Sequence, residues 1–240
     1  METKNQIISL PIAIVVAGIV IAMAIVYVWQ GKKVAVADGE NLAATSVATP
    51  LPIMPLSPSD HYQGDPQAQI VIVEFSDTEC PFCQRMHDTM KQLLADEAGK
   101  VAWVYRHAPI EALHTRSFKE AEALECAAEV GGEDGFWNYL DALFVATPTN
   151  DGLDPAELPV IAESIKLKRS KFEVCLNSGK MAERVNENLN DALAAGPGST
   201  PWSVVMTRDG KVQYPMNGAM PLSVIKQLVK AATARAGVVR

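Results

Sequence analysis

The sequence predicts a small mixed α/β sheet interrupted by a helical insertion. Three observations predict it: a strand–helix–strand unit over residues 70–105, a helical pattern from about Ser117 to Ala195, and a hairpin followed by a helix near the C-terminus. Ile70-Val71-Ile72-Val73-Glu74-Phe75 is short, apolar and rich in β-branched residues, the signature of a buried strand. A helix then starts at Cys80, with Met86, Met90, Leu93 and Leu94 on one face, and Gly99 ends it. Val101-Ala102-Trp103-Val104-Tyr105 is the second strand, and such a unit favours a parallel pair joined by a right-handed crossover.

In the middle of the chain, Ala121, Leu124, Ala128 and Val130 mark one helix, and Phe136, Leu140 and Leu143 mark another. Asp154 to Ile165, Lys171 to Leu176 and Met181 to Leu193 are further helices, with the polar loop Thr147 to Gly152 among the dividers. Strands resume at Ser203 to Thr207 and Lys211 to Tyr214, joined by Arg208-Asp209-Gly210, whose Asp-Gly step signals a hairpin. Pro221 opens a last helix with Leu222, Ile225, Leu228, Val229 and Ala232 on one face.

Ahead of this domain, Ile7 to Trp29 is 23 residues without a charge, which predicts a single transmembrane helix. A helix of that length reaches roughly 35 Å, enough to span a hydrocarbon core. Tyr27 and Trp29 lie at one end, where aromatic rings favour the membrane interface. A cleaved signal peptide would carry a shorter apolar region, although Ala35-Val36-Ala37 resembles a cleavage site. Pro50, Pro52, Pro55 and Pro58 then mark a tether that reaches from roughly 30 Å as coil to ~90 Å if stiffened. The expected layout is an anchor over 1–30, a tether over 31–68, and a domain over 69–236 (69–110 and 196–236) around an insertion at 111–195. Lys4 against Lys32 and Lys33 leans toward an inward-facing domain; the cysteine chemistry points outward, and the outward reading is adopted.

A net charge of −7 and a pI near 5.2 argue against nucleic acid as a partner, since such binding needs a concentrated basic face. The four cysteines include one CxxC, Cys80-Pro81-Phe82-Cys83. A thiol attacks a disulfide only as the thiolate, and Cys80 stands where a helix start favours a negative sulfur. Pro81 suits the first helical position, where its missing N–H would have had no partner. Cys83 lies one turn on, so Cys80 is the expected nucleophile and Cys83 the resolving thiol. The Phe82 side chain cannot donate a hydrogen bond to the sulfur. A zinc half-site is the rival reading, but no second CxxC or histidine pair supplies the other ligands. His61, His87, His107 and His114 are scattered and are read as structural or surface residues.

Ile72-Val73-Glu74-Phe75-Ser76-Asp77 followed by Cys80-Pro81-Phe82-Cys83 resembles the DsbA-like bacterial thiol–disulfide oxidoreductases. Asp60-His61 with Gly64-Asp65-Pro66 is similar to the lead-in of that family's membrane-anchored branch. Tyr105-Arg106-His107, Phe136-Trp137-Asn138-Tyr139 and Gly198-Ser199-Thr200-Pro201 are similar to its helical-domain and cis-proline segments. The resemblance covers about residues 59–236. It implies a thioredoxin-like fold with an inserted α-helical domain, a cis Thr200-Pro201 bond facing Cys80, and Glu74 as a buried acid able to take a proton from Cys83. It also implies a structural disulfide between Cys126 and Cys175.

The resulting expectation is a membrane-anchored, extracytoplasmic enzyme acting as a monomer without cofactor or metal. Its substrates would be unfolded or folding proteins with cysteines, its direction oxidation, and its recycling partner a quinone-linked membrane oxidase. Isomerase or reductase activity, a metal-binding module built on the CxxC, and a redox-inactive scaffold stand as alternatives.

Overall fold

The computed structural model describes residues 50–196 and 198–237. The expected anchor and the first part of the expected tether lie outside the described residues. Among the described residues, no helix is long and apolar enough to cross a membrane.

Among the described residues, five strands form one sheet: β1 (His61–Gly64), β2 (Ile70–Ser76), β3 (Val101–His107), β4 (Trp202–Thr207) and β5 (Gln213–Asn217). Their order is β1-β3-β2-β4-β5. Helix α1 (Pro81–Asp96) joins β2 to β3, which pair in parallel as a crossover unit should. The other pairings are antiparallel. The insertion holds α2 (Ser117–Ala146), α3 (Leu158–Ser164), α4 (Arg169–Ser178) and α5 (Ala182–Ala195), and α6 (Leu222–Arg235) follows β5.

The two helical patterns read over Ala121–Val130 and Phe136–Leu143 are the two arms of α2. Gly132 breaks it with φ 66° and ψ −159°, a conformation costly for any residue with a Cβ. The helix expected over Asp154 to Ile165 begins instead as a 3-10 turn at Pro155–Glu157. Strand β5 starts at Gln213 rather than Lys211, because Asp209 extends the turn by accepting from the Thr207 hydroxyl (2.7 Å) and the Lys211 N–H (3.2 Å).

Side chains alternate across a strand, so the central β2 serves two cores. Ile70 and Ile72 face α1, α6 and most of the insertion, together with Met86, Met90, Phe136 and Ile225. Val71, Val73 and Phe75 face the other way with Val104, Val204 and Met206. By the same alternation Glu74 belongs to the α1 side, the side on which both thiols of the CxxC lie.

The second face corrects the expectation of a free tether reaching to residue 68. Leu51, Ile53, Leu56 and Tyr62 pack on it, and His61–Gly64 adds β1 to the sheet edge. Prolines exclude a helix there but not an extended segment, and the exposed apolar sheet face supplies the driving force. Arg106 clamps the segment. Its guanidinium donates to both Asp60 carboxylate oxygens (3.0 and 2.9 Å), to Asp191 (2.7 Å) and to the carbonyls of Met54 (3.0 Å) and Pro55 (3.2 Å).

Candidate active site

Strand β2 ends at Ser76, a short turn follows, and Cys80 caps α1 with extended backbone (φ −84°, ψ 120°). No side chain caps that helix start, and Pro81 begins it. The first-turn N–H groups are therefore available to a sulfur anion. Both thiols are free and buried, with Cys80 5% exposed and Cys83 fully covered. Cys80 is the sulfur a partner can reach.

The Thr200-Pro201 peptide is cis and leads into β4. It brings the Thr200 carbonyl within 3.5 Å of the Cys80 sulfur, so chain segments 120 residues apart form one centre. Hydrogen bonding from the Cys83 thiol outweighs burial and, with the N–H groups of Cys83 and Phe82 and with Thr200, lowers the Cys80 thiol to about 6. Burial drives Cys83 the opposite way, well above an ordinary thiol, and the charges of Cys80 and Glu74 add to this. Its sulfur accepts the Asp77 N–H at 3.4 Å.

Beneath this pair lies Glu74, fully buried and opposed in register by Tyr105 on β3 and Ser203 on β4. Its carboxylate makes no hydrogen bond of ordinary geometry, nor do the Ser76, Tyr105 and Ser203 hydroxyls or the Trp103 indole N–H, all buried. Burial pushes the Glu74 carboxyl up to about 8, and the nearby Ser76 and Trp103 dipoles pull it back only in part. A carboxyl in that range holds a proton near neutral pH and can exchange it with a neighbour.

Behind Cys80 stands a group of side chains to which the sequence reading assigned no role. Glu79 is fully buried and accepts from the Asp151 N–H (2.7 Å) and the Thr147 hydroxyl (3.2 Å). Glu120 faces it from α2, and burial together with the neighbouring Glu79 raises Glu120 to about 9. The Asp77 carboxylate accepts from the N–H groups of Glu79 (2.9 Å) and Ile110 (2.7 Å) and from His114 Nδ1 (3.0 Å). Asp77 closes the stretch that carries the family resemblance, and Glu79 had only its place beside the CxxC as a signal. Glu120 and His114 carried none.

The histidines are all buried, which corrects their reading as possible surface residues. Each meets a carboxylate: His61 and His107 share Glu125, His87 meets Asp141, and His114 meets Asp77. Phe136 stacks on His61, and Trp103 and Phe144 flank His87, so a charged partner is what makes burial of these rings tolerable. Phe82 is 52% exposed beside the thiols, with the Arg85 guanidinium 4.4 Å from its ring centroid. Cys126 and Cys175 are joined in a disulfide, with their Cα atoms 5.7 Å apart, linking α2 to α4. Among the described residues, no three His, Cys, Asp or Glu side chains form a set able to hold a metal ion.

Comparison with known proteins gives three results. The thioredoxin family model matches residues 56–217. Among solved structures, Wolbachia pipientis α-DsbA1 superposes with a TM-score of 0.66 at 23% identity, covering 77% of this chain and 96% of that one. Pseudomonas aeruginosa DsbA2 gives 0.63 at 24% identity, covering 73% and 95%. These are likenesses of fold. Among curated sequences, the Na(+)/H(+) antiporter NhaA 1 of Mycobacterium sp. (strain KMS) is 34% identical over 152 residues, 62% of this chain and 24% of that protein. NhaA 3 of Salinispora tropica is 33% identical over 150 residues, 62% of this chain and 22% of that protein. The chain thus spans about a quarter of the length of the curated relatives it matches.

Proposed function

Since the chain belongs to the thioredoxin family, we propose that it is a thiol–disulfide oxidoreductase, exchanging disulfides with protein substrates through Cys80 and Cys83 and working as an oxidant. The observation that carries this is the divergence of two thiols one helical turn apart, one lowered to about 6 and the other raised. A pair split in this way has a nucleophile and leaving group at one sulfur and a proton-holding thiol at the other.

In the oxidising direction a substrate thiolate attacks the Cys80 sulfur of the Cys80–Cys83 disulfide. The bond between the two cysteines breaks, and Cys83 leaves with the electron pair and takes a proton. Glu74, with its carboxyl near 8, is the nearby acid suited to supply that proton. A second substrate thiolate then attacks the substrate sulfur of the mixed disulfide, releasing Cys80 as thiolate and leaving the substrate oxidised. A thiol lowered to about 6 is a good leaving group, and stabilising it stabilises the reduced enzyme, which favours oxidation of others. The exposed Phe82 ring and the Thr200 backbone offer an apolar and a hydrogen-bonding contact to an extended substrate segment.

The proposal includes an extracytoplasmic domain acting as a monomer, anchored by Ile7–Trp29 and reoxidised by a quinone-linked membrane oxidase. Antiport is not carried over from the NhaA relatives, which are matched over only about a quarter of their length. The test is the equilibrium potential of the Cys80/Cys83 pair against glutathione. A value closer to about −120 mV than to about −270 mV supports an oxidant; the reverse makes the protein a reductant.

A further inference from the structure

Phe82 gives Cys80 no hydrogen bond from its side chain, so a charge partner for the thiolate has to come from elsewhere in the fold. Asp77 holds both cysteines through its backbone. Its carbonyl accepts the Cys80 N–H at 3.1 Å, and its own N–H donates to the Cys83 sulfur at 3.4 Å. Its carboxylate, 1% exposed, takes two backbone N–H groups and His114 Nδ1. Of these three donors, only His114 can change its charge.

We propose that His114 is a positioning residue for the thiol pair: as an imidazolium on Asp77, it neutralises the buried carboxylate behind Cys80 and fixes the peptide that touches both cysteines. This rests on the reading of Cys80 and Cys83 as an exchange centre. Burial opposes the charge on His114, but the bond and charge of Asp77, followed by Cys80 and Asp151, prevail and raise it. The other ionisable groups tied to this turn are the Glu79–Glu120 pair and Arg116, the latter bonded through its N–H to Asp151. Without the imidazolium, two neutral backbone N–H groups are left to hold the buried Asp77 carboxylate, no cation offsets its charge, and a second anion on Cys80 becomes harder to form. By linkage the imidazole holds its proton more tightly when Cys80 is a thiolate than when it is in a disulfide.

The decisive experiment titrates the Cys80 thiolate by ultraviolet absorbance in wild type and in His114→Asn, whose amide can still donate to Asp77 but carries no charge. The midpoint is expected to rise by about one pH unit, with alkylation below the midpoint about tenfold slower. His87→Asn, which removes a histidine paired with Asp141, should leave the midpoint in place. A folded His114→Asn protein that titrates like wild type overturns the proposal. Should that variant fail to fold, NMR titration of His114 in the wild-type protein decides: a higher midpoint in the reduced than in the oxidised form is expected, and equal midpoints overturn it. Neither measurement uses a protein substrate, so failure of wild type to exchange disulfides sinks the functional reading alone.

Discussion

Cys126 and Cys175, 49 residues apart, are bonded to one another, whereas Cys80 and Cys83, three residues apart, are free thiols. All four are buried and share one apolar core. Burial therefore does not decide what a sulfur does. The first pair joins two helices and closes a loop in the insertion. The second pair sits at an uncapped helix start, where Asp77 and Thr200 reach the sulfurs and Glu74 lies on the same face. Hydrogen-bond donors and buried charge split the two thiols there. Reactivity is built from a few polar contacts placed inside an otherwise apolar core.

Cys83→Ser should have the most severe consequence. Turnover should be lost while attack by Cys80 on a substrate disulfide survives, so a mixed disulfide accumulates on non-reducing gels. Continued turnover would show that the two sulfurs do not work as a pair. The converse change, Cys126→Ala with Cys175→Ala, should leave the Cys80/Cys83 potential unmoved. It should lower stability to urea by about 4 kcal/mol for a loop of this length in the chain-entropy account. A shifted potential would mean that the two regions are not independent.

A milder consequence is expected at Glu74. Its native carboxyl, near 8 against an ordinary 4.5, binds a proton more tightly folded than unfolded. Stability should therefore fall as pH rises between those values, by at most about 1.4 kcal/mol per pH unit. Glu74→Gln should remove Glu74's share of that slope, leaving the share of Glu120, and slow formation of the mixed disulfide at neutral pH. Urea unfolding across the interval checks the first outcome and single-turnover kinetics the second; an unchanged slope would assign the pH dependence to another group.

Much of the fold was legible along the chain because its signals are local. The β-branched apolar run over residues 70–75, the inward face of α1, Pro81 after Cys80 and Asp209-Gly210 in the hairpin each depend on neighbours within a strand, a turn or two of helix, or a loop. The resemblance to the DsbA-like family added the cis Thr200-Pro201 bond and the Cys126–Cys175 pairing, neither of which the residues settled alone.

Which distant charges meet was settled by the docking of completed elements. Arg106 reaches Asp191 across 85 residues, and His114 reaches Asp77 across 37. Prolines marked residues 50–68 as a spacer without helix or strand, yet the uncovered face of the sheet turned part of that segment into packed structure and an edge strand. Periodicity records which side of an element is apolar, and that is a property of the element itself. A buried ion pair has no period: its partners are chosen by how completed elements dock, where leaving either charge unpaired would be costly.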